Sequence, residues 1–134
     1  MAASLGLPPA ERVRRRPDFE RAYEKGVRIP ARFMTVFVVE NGGVVSRLGI
    51  AASRKFGASV ERNRAKRLAR EIFRRHKITS GIDVIIVPRQ GMLDASFASL
   101  ESDYRDALSR RNRAQPAARR PPRRPRRPGS AKGL

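Results

Sequence analysis

Cysteine is absent from this 134-residue chain and histidine occurs once. There is therefore no disulfide framework and no thiolate chemistry, as suits a reducing, cytoplasmic setting. Acids are scarce as well, 12 Asp+Glu against 31 Lys+Arg. They are scattered, with no D-x-D or H-x-x-E cluster to hold two metal ions for in-line phosphoryl chemistry, so a protein-borne catalytic centre is not expected. No apolar run approaches the ~20 residues of a membrane span. The N-terminus lacks the charge-then-apolar order of a signal peptide. The length accommodates one domain and not two.

What the chain has in excess is positive charge, a formal +19. A domain so charged repels itself unless an anionic partner screens it; nucleic acid is the first candidate and an acidic membrane surface the second. The charge is unevenly spread. From Arg110 to the C-terminus there are nine Arg, one Lys and no acid, leaving +9 for the rest of the chain. This tail, with its RRPPRRPRRPG run, has almost no apolar side chains with which to offset its ordering entropy. Residues 114–134 are read as a disordered basic tail, either a flexible arm for phosphates or a solubilising extension. Residues 1–11 are read as a flexible N-terminus and residues 12–113 as the folded domain.

Within that domain the pattern is helix, strands, helix, strand, helix. Pro17–Lys25 sets Phe19, Ala22 and Tyr23 on one helical face, with Pro17 in the first turn and Gly26 as the stop. Phe33–Glu40 is rich in β-branched and aromatic residues and predicts a strand. Its alternation sets Phe33, Thr35, Phe37 and Val39 on one face and Met34, Val36 and Val38 on the other. Asn41-Gly42-Gly43 is a turn signal. Arg47–Ser53 predicts a second core strand, reached through a short one at Val44-Val45. Asp83–Val87 is apolar after its first residue, as in a central strand covered on both faces. Ser96–Arg111 forms the last helix, with Phe97, Leu100, Tyr104 and Leu108 on one face. The strand-helix-strand order from Arg47 to Val87 favours a parallel pair. The fold class is α+β, a two-layer sandwich of about three helices on a sheet.

The helix between those strands, SVERNRAKRLAREIFRRHK (residues 59–77), carries most of the domain's information. At 100° per residue, Ala65, Leu68, Ala69, Ile72 and His76 fall within an arc of about 100°, with Phe73 beside it. Arg62, Asn63, Lys66, Arg67, Arg70, Arg74 and Lys77 fill a separate arc of about 140°. Glu61–Lys77 holds six Arg and two Lys against two Glu. A solvated helix face normally mixes signs, because like charges at i,i+4 destabilise by ~0.2–0.5 kcal/mol each. The ladder Arg62, Lys66, Arg70, Arg74 does the opposite, and bound phosphates would relieve it. Asn63 can brace its arginine neighbours, read a base edge or ribose hydroxyl, or simply occupy the first turn. His76, on the apolar edge, is read as structural.

The run from Arg62 to Glu71, RNRAKRLARE, resembles the R-N-R-x-K-R-x-x-R-E signature of the bacterial ribonuclease P protein subunit. Three further motifs lie in the matching order: Arg12-Val13-Arg14-Arg15 followed by Asp18-Phe19; Arg47-Leu48-Gly49-Ile50 followed by Ser53-Arg54-Lys55-Phe56-Gly57; and Asp83-Val84-Ile85-Ile86-Val87-Pro88-Arg89. Together they span about residues 12–110. The resemblance implies a four-stranded mixed sheet like domain 2 of a ribosomal small-subunit protein, with a left-handed strand-helix-strand crossover. It implies an RNA-binding role in a ribonucleoprotein that removes the 5′ leader of precursor tRNA, its RNA subunit carrying the catalysis with Mg²⁺. The protein alone would hold no metal stably, and neither a membrane nor an obligate protein partner is expected.

Carried over by position, Arg62, Asn63, Arg64, Lys66, Arg67 and Arg70 would contact the RNA subunit. Phe19, Tyr23, Phe37, Arg54, Lys55 and Arg89 would line a cleft for the single-stranded leader. A leader of variable sequence is well held by ring stacking, about 1–3 kcal/mol per base, with cations tracking its phosphates. For Phe19 and Phe37 the competing role is ordinary core. The chain departs from the family pattern at Arg16, where a polar helix cap is usual, at the small Ala65 and Ala69, at Ser53 and in the Arg/Pro tail. A ribosomal protein or general RNA chaperone is the alternative that charge alone supports. A DNA-binding regulator is disfavoured because the basic helix is flanked by strands and not by a second helix.

Overall fold

The computed structural model describes residues 7–76 and 81–111. The basic tail, residues 114–134, lies outside them, as does the Lys77 end of the basic helix. In chain order the elements are α1 (Arg16–Lys25), β1 (Val27–Pro30), β2 (Met34–Glu40), β3 (Arg47–Ile50), α2 (Ser59–Arg75), β4 (Ile82–Pro88) and α3 (Phe97–Ser109). Short 3-10 turns at Pro9–Glu11 and Met92–Asp94 precede α1 and α3.

The four strands form one mixed sheet in the order β1-β2-β4-β3. β1 and β4 each pair antiparallel with β2, and β3 runs parallel to β4, with Leu48 opposite Val84. The parallel pair joined through α2 is the one the strand-helix-strand order favoured. The fourth strand is not the expected Val44-Val45, since Val44 is 84% exposed and lies in a bend. It is Val27–Pro30, an edge strand that follows α1 without a linker and buries Ile29. Four residues ending in proline give little alternation to read, and proline is tolerated there because the strand is at an edge.

The alternation in β2 sorts its side chains as the sequence predicts. Met34, Val36 and Val38 join Ile29, Leu48, Val84 and Ile86 against Ala65, Ala69, Ile72 and Phe73 of α2 and Leu100, Tyr104 and Ala107 of α3. Phe37 and Ile85 point to the opposite face, where they meet Val13 and Ala22, with Phe19 and Tyr23 packed alongside. Two helices thus cover one face of the sheet and α1 alone covers part of the other. Ala65 and Ala69 are fully buried, so α2 meets the core through short side chains over two turns. His76 accepts its structural role by meeting Glu101 of α3 at 2.8 Å through Nε2.

Order begins earlier than Arg12. Leu7 is 2% exposed, and the Val13 N–H donates to the Leu48 carbonyl at 2.9 Å, so the N-terminal segment runs along the outer edge of β3. Of the N-terminal residues 1–11 expected to be flexible, Leu7–Glu11 are described, and Leu7 is packed. An edge strand's open backbone groups favour such a covering segment. Arg15, not Arg16, is the N-cap residue of α1; it is extended and its side chain makes no capping bond.

Candidate nucleic-acid interface

The first surface is the outer side of α2. The helix starts at Ser59, with Glu61 Oε1 accepting from the Ala58 N–H at 3.0 Å. This is half of a capping box, because Ala58 has no side-chain acceptor to return it. Asn63, Arg64 and Arg67 are exposed, and Arg62, Lys66 and Arg70 are half-buried. Arg62 folds back, its Nη1 donating to the Gly57 carbonyl at 3.3 Å. Among the described residues none of Arg62, Arg64, Lys66, Arg67 and Arg70 forms an ion pair. Arg74 leaves the ladder, because Glu71 reaches across one turn to pair with it. Burial, reinforced by the charges of Arg12 and Arg67, pushes the Arg70 pKa down. The helix therefore presents a compressed set of like charges that a polyanion would neutralise.

The second surface lies on the other face of the sheet, under α1. Tyr23 stands edge-on to Phe37 with ring centroids 5.0 Å apart, and Phe19 is 6.5 Å from Tyr23. Phe19 and Tyr23 are partly exposed, whereas Phe37 is 4% exposed. Phe37 is thus the floor that orients Tyr23, the core role weighed for it, and only Phe19 and Tyr23 offer ring surface to a base. Gly49 in β3 makes room for this arrangement. A Cβ there would sit 2.8 Å from Ile85 Cδ1, 2.9 Å from Val13 Cβ and 3.0 Å from Phe19 Cε1.

Arg54, Lys55 and Arg89 do not stand among the aromatic rings. They lie where the chain leaves β3 and β4, and because those strands are parallel both exits are at one end of the sheet. Gln90 Nε2 donates to the Lys55 carbonyl at 3.4 Å, which ties the two segments together. Arg54 and Lys55 are exposed; Arg89 is exposed but partly committed, its Nη1 donating to the Ala31 carbonyl at 2.8 Å.

A buried ion network that the sequence did not reveal holds α1 on the sheet. Asp83, fully buried, accepts from Arg47 at 2.8 and 2.7 Å, from Asn41 at 2.9 Å and from Arg21 of α1 at 3.3 Å. Burial alone would raise the Asp83 pKa. The hydrogen bonds from Arg47 and Asn41, with the charges of Arg47 and Arg21, outweigh it and hold the carboxyl below the usual range. The one legible signal was an acid heading an otherwise apolar strand. Among the described residues no group of three or more His, Asp or Glu is placed to hold a metal ion, and no helix is long and apolar enough to cross a membrane.

The chain is similar to known proteins over most of its length. The family model described as Ribonuclease P matches residues 7–112. The ribonuclease P protein component of Alkaliphilus oremlandii is 35% identical over 103 residues, covering 75% of this chain and 90% of that one. The solved RNase P protein of Thermotoga maritima superimposes with a TM-score of 0.67 at 36% identity, covering 75% of this chain and 96% of that one. The Staphylococcus aureus RNase P protein gives a TM-score of 0.67 at 33% identity, over 74% of this chain and 93% of its own.

Proposed function

From the premise that this chain belongs to the ribonuclease P protein family, the protein subunits of the endoribonuclease that matures the 5′ end of tRNA, we propose a division of labour between its two surfaces. The exposed side of α2 docks the catalytic RNA through Asn63, Arg64, Lys66, Arg67 and Arg70. Phe19 and Tyr23, on the opposite face of the sheet, stack bases of the single-stranded 5′ leader, and Arg54, Lys55 and Arg89 attract its phosphates at the sheet's end. The observation that carries this reading is the separation itself. The cations without ion-pair partners among the described residues and the half-exposed rings are carried by helices on opposite faces of one sheet, so the protein can hold two RNAs at once.

Bond cleavage is left to the RNA. The metal of the holoenzyme would be held by RNA phosphates. The protein's contribution is charge neutralisation and grip, which lowers the Mg²⁺ needed to fold the RNA and favours precursor over mature tRNA. The setting is the cytoplasm, where these RNAs meet.

Reconstitution with a bacterial ribonuclease P RNA tests the proposal. The protein should restore cleavage at low Mg²⁺ and tighten precursor binding while leaving mature tRNA binding nearly unchanged. Phe19→Ala should spare RNA-subunit binding and weaken precursor binding by about 1–3 kcal/mol, the value of one stacked base. Equal affinity for precursor and mature tRNA, or co-sedimentation with ribosomes without a leader preference, would favour a general RNA-binding role instead.

A further inference from the structure

At the outer edge of β3, where the sheet ends and both of its faces are accessible, lies a half-open cavity of about 310 Å³. Its floor is apolar, from Leu7, Val13, Leu48, Ile50 and the edge of Phe19, and its rim carries Arg12, Arg14, Lys66 and Arg70. No acid lines it, and among the described residues none of the four cations has an ion-pair partner. Arg12 is held in place by its Nε, which donates to the Leu7 carbonyl at 2.8 Å. Its terminal nitrogens have no hydrogen-bond partner among the described residues.

We propose that this cavity receives one unstacked nucleotide of the RNA subunit, its base against the partly exposed Ile50 and Phe19 and its flanking phosphates on Arg12, Lys66 and Arg70. An apolar floor ringed by cations matches a nucleotide and matches neither a bare anion nor an apolar side chain. A bare phosphate has no use for the floor, and an apolar side chain would leave four charges uncompensated. The volume falls at the small end of ligand cavities, the size for a single unit and not a helix. The RNA subunit is favoured over the leader because Lys66 and Arg70 lie one turn apart on the docking face of α2, and the N-terminal segment closes the far wall. The assignment rests on that docking role. Phe19 shows one edge to this cavity while packing beside Tyr23, so a nucleotide here would also steady the ring that meets the leader.

The lack of cysteine makes a direct test simple, since Arg14→Cys on the exposed rim creates a unique attachment point for a photo-crosslinker. In the precursor-free complex, crosslinks should map to one or two adjacent nucleotides of the RNA subunit. Arg12→Met in the same background should cut that crosslink, weaken RNA-subunit binding about tenfold and lower the salt slope by about one. A pocket-filling Ile50→Trp should cut the crosslink without changing the salt slope. Circular dichroism establishes that each variant is folded, and Arg12→Met carries the test if Ile50→Trp is not. Crosslinks scattered over the RNA subunit, crosslinks that shift to the leader once precursor tRNA is added, or unchanged affinity and slope in Arg12→Met would each overturn the assignment. A wild-type chain that forms no complex with the RNA would instead remove the docking role on which it rests.

Discussion

Asp83→Asn is the most informative single change, because it keeps the side chain's shape while deleting the one negative charge on which Arg47, Arg21 and Asn41 converge. An amide has one acceptor oxygen in place of two, and its NH₂ faces donors. Removing one member of a buried ion pair costs about 3–5 kcal/mol. Here Arg47 and Arg21 keep 26% and 38% of their side chains exposed, and Asp18 remains 3.6 Å from Arg47, so water and Asp18 recover part of the loss. The expected cost is about 2–3 kcal/mol, or roughly 10–20 °C in Tm for a domain of this size. Thermal melts and urea titrations followed by circular dichroism read it directly. The sign with pH also follows. A carboxyl whose pKa is held down in the folded state contributes its stability fully above the ordinary Asp value near 3.9 and loses it as pH falls below. The variant should therefore show a flatter stability profile than wild type between about pH 5 and 2. Because the network anchors α1 and does not touch α2, preference for precursor over mature tRNA should fall while RNA-subunit affinity holds. A variant within about 0.5 kcal/mol of wild type, with an unchanged acid limb, would show that the network is merely solvated polar packing and that α1 is held by Ala22 and its neighbours alone.

The other expectations are simpler to state. Arg64→Ala combined with Arg67→Ala removes two exposed cations that have no ion-pair partner among the described residues, and should weaken RNA-subunit binding while reducing its salt slope by about two charge equivalents in a titration from low to high salt. Gly49→Ala forces a methyl against the fixed Val13 Cβ at 2.9 Å and the Phe19 ring edge at 3.0 Å. It should cost about 1–3 kcal/mol by denaturant titration and weaken leader recognition more than RNA-subunit binding. Tyr104→Phe should be neutral or stabilising by up to about 1 kcal/mol, because the Tyr104 hydroxyl is buried and finds no hydrogen-bond partner among the described residues. A clear destabilisation in the same melt would mean that the hydroxyl has a partner after all.

The basic helix and its apolar stripe were legible in the sequence, because helical period is a local property, although Arg62, Lys66 and Arg70 of the cationic arc are half-buried and Arg64, outside that arc, is exposed. So were α1, β2, β4 and α3 to within a few residues, and the two faces of β2. The local signal failed where an element is too short to show a period, as at Val27–Pro30. It also misled at Val44-Val45, where two valines look like a strand but lie exposed beside glycines. The aromatic positions were identified, but not that Tyr23 would cover Phe37 and leave only two rings for a ligand. Charge composition pointed to RNA, and the motif resemblance narrowed it to one ribonucleoprotein.

Other features depended on residues that meet only in the folded chain. Asp83 meets Arg47 from 36 residues away and Arg21 from 62. Arg12 meets Lys66 and Arg70 only because the N-terminal segment lies along the edge of β3. The sequence by itself determined the elements, their polar faces and the sign of the partner, since these follow from side-chain type and spacing along a regular backbone. The tertiary structure alone decided which cations are left unpaired, which rings stay open and where the two surfaces meet. Those depend on strand order and on contacts between distant segments, which no local period encodes.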